Sequence, residues 1–317
     1  MKYKFAAADM DGTLLNDSNE ITPHTVKIIR QAVDKGLIFS ICTGRPIQGV
    51  SRYQKQLGIQ GPVITYNGAM ILDSATEKIL YRQELASDDA RKILEAGIRY
   101  DTTMCIWSDN KLYGNQLNDR IHEYSQATKV TPLPIPSIEQ LLSQGITKIL
   151  WYDDVEKIQQ IEKELRSAAH FQNVTFCTSK PFYLEFFNSR VSKAAAIDRI
   201  GELYGFSPAE TIAIGDGFND LPMIRYAALG AAMSNAPDGV KQYADYVAKH
   251  TNNEDGVAEV LEKFDELGIP NLIEVSSKEG HPLARVEWVK VLGVLFDKEA
   301  EADSYFAGEK ELLEQST

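Results

Sequence analysis

The sequence predicts an α/β fold: a parallel-sheet core with an α+β layer inserted into it. Three observations predict it. Apolar runs of strand length, Phe5-Ala6-Ala7-Ala8, Leu37 to Cys42 and Thr211 to Ile214, alternate with stretches of helical period. Each run ends in a polar string containing glycine: Asp9-Met10-Asp11-Gly12, Thr43-Gly44-Arg45-Pro46 and Gly215-Asp216-Gly217-Phe218-Asn219-Asp220. From about residue 84 to residue 187, strands and helices recur without such strings, which suggests an independent layer.

The first strand carries the central observation. In an open α/β sheet the carboxyl ends of the strands are where chemistry collects. Asp9 and Asp11 stand at such an end, followed by Gly12 to let the backbone turn. Together they form a site that a divalent cation could bind and a phosphate could approach.

Composition narrows the function classes. A chain of 317 residues is long for one core, so two domains are expected. An apolar content of 44% and a charged content of 25% are those of a globular protein. The apolar runs are short of a membrane span and the N-terminus lacks a signal-peptide pattern, so the expectation is a cytoplasmic protein with no membrane partner. A net charge of −12 without a basic cluster argues against nucleic acid. A small anionic substrate remains compatible, because a metal and a few local cations outweigh a distant net charge. Cys42, Cys105 and Cys177 have no metal or redox spacing, and buried thiols are the expectation.

The elements follow in order. Thr22 can cap a helix that has Pro23 at its first position, Val26, Ile29 and Val33 on one face, and Gly36 after its end. The strand from Leu37 to Cys42 then completes a strand–helix–strand unit, which places Thr43 at the same sheet edge as Asp9. The Thr43 hydroxyl and the N–H groups beside Gly44 are donors of the kind a phosphoryl oxygen needs. A helix near Ile47 to Leu57, a strand from Pro62 to Tyr66 and a hairpin of Ala69 to Leu72 with Ile79 to Tyr81 come next. Asn67-Gly68 reads locally as a turn.

In the inserted layer, Ser87, Asp88 and Asp89 open a helix, and strand-like runs occupy Thr103 to Trp107, Ile146 to Tyr152, Val174 to Thr178 and Phe182 to Phe187. After it, Ser192 can cap a helix that places Lys193 in its first turn. A cation there opposes the helix dipole, and a phosphate shared with the helix N-terminus would explain it. The strand from Thr211 to Ile214 then delivers Asp216 as a third carboxylate at the edge. Crowding Asp9, Asp11 and Asp216 without a cation is costly, so a hard ion such as Mg²⁺ belongs there.

These strings in this order resemble the haloacid dehalogenase (HAD) superfamily, in its Cof-type capped branch, over roughly residues 1 to 265. Asp9 to Asp17 is similar to that family's first motif, Thr43 to its second, Lys193 to its third and Gly215 to Asp220 to its fourth. Ala194 stands where the family usually has Gly after the Lys, and Asn67-Gly68-Ala69 is similar to the branch's pattern, which implies a position near the active-site cleft without a catalytic role for Asn67. The resemblance implies a Rossmann-like core of residues 1–83 and 188–267, a cap of 84–187, and an unmatched extension of 268–317. It also implies Mg²⁺-dependent hydrolysis of small phosphorylated metabolites, often sugar phosphates. Asp9 would be the nucleophile and Asp11 the general acid and base. Asp9, the Asp11 carbonyl and Asp216 would hold the metal, while Thr43, Gly44, Lys193 and Asn219 would bind phosphate. Asp220 is expected to support Lys193 or the metal ligands, and Arg45 to reach substrate or to form a structural ion pair. The competing readings are a sugar phosphomutase and a non-catalytic sugar-phosphate-binding regulator; two adjacent carboxylates argue against the latter.

In the extension, Val286, Val289, Leu292 and Phe296 are spaced for one helix face. That stripe is a candidate dimerisation or docking helix, and so a route to a homo-oligomer. His281 is expected to be a surface residue.

Overall fold

The computed structural model describes residues 2–76, 78–168, 171–266 and 305–307. Residues 1–268 form one compact unit and residues 269–317 another. Of the second unit, residues 305–307 are helical. The expected apolar helix face, the His281 assignment and the 268–317 boundary fall outside the described residues.

In the first unit the chain begins with β1 (Phe5–Ala8), α1 (Pro23–Asp34), β2 (Ile38–Ile41) and α2 (Ser51–Leu57). Next come β3 (Pro62–Thr65), β4 (Met70–Asp73) and β5 (Ile79–Arg82). A second group of elements follows: α3 (Ser87–Arg99), β6 (Thr103–Ser108), β7 (Lys111–Gly114), α4 (Asp119–Thr128), β8 (Leu133–Pro134), α5 (Ile138–Gln144), β9 (Lys148–Tyr152), α6 (Val155–Ala168), β10 (Val174–Lys180) and β11 (Tyr183–Asn188). The chain then adds α7 (Lys193–Tyr204), β12 (Thr211–Gly215), α8 (Leu221–Tyr226), β13 (Leu229–Ala232), α9 (Asp238–Lys241), β14 (Tyr246–Val247) and α10 (Gly256–Glu266).

The principal sheet has the order β14-β13-β12-β1-β2 and is parallel throughout. β1 is central, and its side chains, Phe5 and three alanines, are wholly buried, as a strand covered on both faces requires. On one face, α1, α2 and α10 supply Ile29, Leu57 and Val260 to an apolar core with Ala6 and Ala8. On the other, α7 and α8 supply Ile197, Ile200 and Met223 around Phe5 and Ala7. The register fixes the site: Ala8 lies level with both Ile214 and Ile41, and the Asp9 N–H donates to the Ile214 carbonyl at 2.9 Å. The residues that leave these strands therefore emerge at one edge.

A separate sheet of order β10-β11-β9-β6-β7-β8 forms the inserted layer. Ile149 and Trp151 face α3, α5 and α6 in one apolar cluster. The alternate positions Leu150 and Tyr152 face the other way, into a cluster with Tyr66, Met70, Trp107 and Tyr183. That second cluster ties the layer to the turn preceding β4.

β3, β4 and β5 form a third, antiparallel sheet rather than extending the principal one. Among the described residues a single parallel bridge, Cys42 to Ile64, links it to the end of β2. Cys42 and Cys105 are buried as expected, whereas Cys177 is exposed. It lies on β10, an edge strand, on the side that the sheet turns toward the cleft.

Candidate active site

Asp9 follows β1 and is 6% exposed. Its Oδ1 accepts from the Lys193 ammonium, which also donates to Asp220 Oδ1 at 2.5 Å. Lys193 is the first residue of α7, held there by Ser192, whose side chain accepts from the Ala195 N–H. Its side chain is fully enclosed. Burial works against the ammonium charge, but the Asp9 and Asp220 carboxylates more than offset this, and its pKa is raised.

Asp220 is also buried, and its second oxygen accepts from the N–H groups of Asp216 at 3.1 Å and Gly217 at 2.8 Å. Both oxygens are thus committed, one to Lys193 and one to the backbone that carries Asp216. Asp216 in turn accepts from the Thr13 hydroxyl at 2.6 Å.

Carboxylate oxygens of Asp9, Asp216 and Asp220 come within 4.8 Å of one another. Burial, then the neighbouring charge of Asp220, pushes Asp9 up to about 8 against the pull of Lys193. Burial pushes Asp216 up to about 6 despite the Thr13 hydrogen bond. One ammonium does not balance these carboxylates, so the donor set fits a second, hard cation with oxygen ligands.

The turn between Asp9 and Thr13 is shaped by Gly12, whose φ is +77°. A Cβ on Gly12 would lie 2.5 Å from Asp216 Oδ2. Only glycine allows both the left-handed backbone and that approach. Asn235 secures the turn from outside, donating to the Gly12 carbonyl at 2.8 Å.

Asp11 turns away from the buried cluster. Arg45 grips it with two donors, Nε to Oδ2 at 2.9 Å and Nη2 to Oδ1. Of the alternatives expected for Arg45, its contact here is the ion pair. The Asp11 side chain remains 56% exposed, on the wall of a cleft of about 900 Å³ that Asp9, Thr43, Gly44, Arg45, Asp216 and Asn219 also line. From the other side the cleft is walled by α4, β9, β10 and β11, through Tyr124, Lys148, Thr178 and Tyr183 among others.

Parallel α/β core, inserted sheet layer and acidic strand-end cluster agree with a family model for haloacid dehalogenase-like hydrolases, which matches residues 6–261. The chain belongs to that family. It is 32% identical over 258 residues to a Bacillus subtilis protein, 5-amino-6-(5-phospho-D-ribitylamino)uracil phosphatase YcsE, a match covering 81% of this chain and 94% of that one. A solved haloacid dehalogenase-like hydrolase from Bacteroides thetaiotaomicron superposes with a TM-score of 0.74 at 28% identity, over 83% of this chain and all 100% of the other. The HAD subclass IIB sugar phosphatase BT4131 superposes with a TM-score of 0.69 at 25% identity, over 83% of this chain and 99% of its own. This HAD-family chain is accordingly a phosphatase.

The catalytic, phosphate-binding and metal candidates named in the sequence of this phosphatase lie at the same sheet edge, but not in one contact group. Asp9, Lys193, Asp216 and Asp220 form the buried cluster. Thr43, Gly44, Asn219 and the Asp11–Arg45 pair stand around it on the cleft wall. Thr43 is buried, and its hydroxyl accepts from the Arg45 N–H at 3.2 Å. Asn67, locally a turn residue that the family resemblance places near the cleft, does line it: its side chain lies against Gly44 and accepts from Asn219 Nδ2 at 3.3 Å. It does so from a left-handed backbone, φ +57°, that Asn adopts readily. The match of Asn67-Gly68-Ala69 to the family pattern was the available signal, since on local grounds the pair marks only a turn.

Proposed function

We propose that this HAD-family phosphatase hydrolyses phosphate monoesters of small polyhydroxylated metabolites, sugar phosphates among them, through an aspartyl-phosphate on Asp9 and with Mg²⁺. The observation that carries the reading is a buried carboxylate, Asp9, held by an enclosed lysine at the floor of an open cleft with a second carboxylate, Asp11, at its wall. A binding protein needs no such pair; a double displacement needs both.

The residues would divide the work as follows. Asp9 has one oxygen engaged by Lys193 and the other available for attack in line on phosphorus. Asp11, whose two oxygens Arg45 grips in this structure, would leave that ion pair to protonate the leaving oxygen and later take the proton from the attacking water. Lys193 keeps its charge in a wholly buried position and would hold an equatorial phosphoryl oxygen together with the hydroxyl of Thr43 and the side chain of Asn219, where positioning and electrostatics carry most of phosphoryl transfer.

Asp9, the Asp11 carbonyl and Asp216 would hold Mg²⁺, with Thr13 orienting Asp216. Asp220 is left out of that set because its oxygens are already engaged. When bound, the ion supplies positive charge between nucleophile and phosphoryl group. Two similar proteins support the substrate class: the Bacillus subtilis relative is named for a phosphoribitylamino substrate, and BT4131 is named a sugar phosphatase.

The test is phosphate release from a panel of sugar and polyol phosphates, nucleotides and a chromogenic aryl phosphate, with Mg²⁺ and with chelator. Metal-dependent release led by the polyhydroxylated esters is the expected result. Release that persists in chelator, or a panel led by nucleotides, contradicts the reading.

A further inference from the structure

A second pair of buried opposite charges lines the same cleft, on the side of the inserted layer. Lys148 Nζ lies 2.8 Å from Glu185 Oε2, with the two side chains 7% and 8% exposed. Glu185 Oε1 accepts from the Ser179 hydroxyl at 2.8 Å. Lys148 opens β9, and Glu185 stands opposite Leu150 in the register of β11, so the pair runs diagonally across the sheet. Further along the same face, Leu150 and Tyr152 are buried in an apolar cluster.

Structure alone gives little reason for charges at these positions. Withdrawing both from water is costly, a diagonal cross-strand ion pair returns little, and apolar residues would hold the two strands as well. The pair makes sense by what it offers the cleft, whose wall it shares with the phosphate site. An ammonium has three N–H groups, and among the described residues Glu185 is the partner of Lys148. The Glu185 oxygens keep lone pairs beyond their present partners. Adjacent hydroxyls match this arrangement, because each can accept from Lys148 and donate to Glu185. A second anionic group does not, because it would face the Glu185 carboxylate.

We propose that Lys148 and Glu185 form the leaving-group recognition site, reading hydroxyls on the carbon chain beyond the ester oxygen. The assignment rests on the phosphatase reading above and adds the residues that set its selectivity.

The test compares matched esters, D-sorbitol 6-phosphate and n-hexyl phosphate, which differ in the hydroxyls of the chain. The readout is the ratio of their kcat/KM values with Mg²⁺, for the wild type, Glu185→Gln, Lys148→Met and the double variant Lys148→Met/Glu185→Leu. The wild type is expected to favour sorbitol 6-phosphate, and the ratio to fall roughly 10- to 100-fold in each variant, the loss for hydrogen bonds to charged groups. A general structural defect lowers both rates and leaves the ratio where it was, which overturns the assignment. The double variant leaves no unpaired charge, so it keeps the test decisive if a single variant fails to fold. A wild type that hydrolyses both esters equally overturns the assignment alone. A wild type that releases phosphate from neither ester nor the panel overturns the phosphatase reading and the assignment together.

Discussion

Gly12→Ala separates the backbone cost of the first loop from its role in placing Asp216. Gly12 has φ +77°, and Gly205, which ends α7, has φ +75°. An Ala in either left-handed position costs about 1–2 kcal/mol. At Gly205 nothing lies within 4 Å of the added Cβ, whereas at Gly12 the Asp216 Oδ2 lies 2.5 Å away. Ordinary contact begins near 3.4 Å, so Asp216 must retreat by about 1 Å, a displacement of the size that costs on the order of 100-fold in rate when it falls on a catalytic group. Both variants should therefore melt lower, Gly12→Ala by at least as much as Gly205→Ala. Only Gly12→Ala should lose kcat/KM on that scale and need more Mg²⁺ for half-maximal rate. The assay is phosphate release against Mg²⁺ concentration, with thermal melts of both proteins. A Gly12→Ala enzyme with the Mg²⁺ requirement and rate of Gly205→Ala would refute the placement of Asp216 as a ligand.

Three further outcomes are expected. Lys193→Met removes the ammonium that two buried carboxylates share; uncompensated charge of that kind costs about 3 kcal/mol or more, or roughly 6–12 °C in Tm, and a melt within a degree of wild type would contradict it. Thr13→Val breaks the hydrogen bond to Asp216 and should raise the Mg²⁺ concentration for half-maximal rate about 10- to 100-fold, as loss of a partner behind a metal ligand does; an unchanged Mg²⁺ titration would show that Asp216 does not ligate. The third concerns pH. Burial raises Asp9 to about 8, so the folded protein without metal binds a proton that the unfolded chain releases near pH 4. Its contribution to stability is complete below that pH and is lost as pH rises through about 8. In chelator, Asp9→Asn should gain Tm relative to wild type across this window, and a constant difference would count against the buried, raised carboxylate.

Much of the core was legible because its strands are short and end in distinctive strings. Phe5 to Ala8 is a run of small or apolar residues bounded by charge, so both its burial and the exit of Asp9 follow from the sequence. Parallel register then carries Thr43 and Asp216 to the same edge. Strand partners were legible in part: the polar turn between Ala69–Leu72 and Ile79–Tyr81 marks the β4–β5 hairpin that the structure shows, but nothing local says that β3 joins that hairpin as a separate antiparallel sheet. Cys177 fell outside the expectation because burial on an edge strand alternates, and Val174 and Phe176 take the inward positions. The place of Asn67 near the cleft was implied by the family resemblance, but its contacts with Gly44 and Asn219 were not, because its local chemistry is that of an ordinary turn. Lys148 and Glu185 were hidden because the cleft they line is made by chain segments far apart in sequence. The commitment of Asp220 to Lys193 and to two backbone N–H groups likewise depends on tertiary distances that no motif records.

The central claim is that Asp9 attacks phosphorus and carries the phosphoryl group before water does. The stereochemical course at phosphorus tests it most directly, using an isotopically chiral phosphate ester and the Mg²⁺-loaded enzyme. Two successive in-line displacements invert twice, so the account predicts retention of configuration. Inversion would mean that water attacks the substrate directly, and would contradict a covalent role for Asp9.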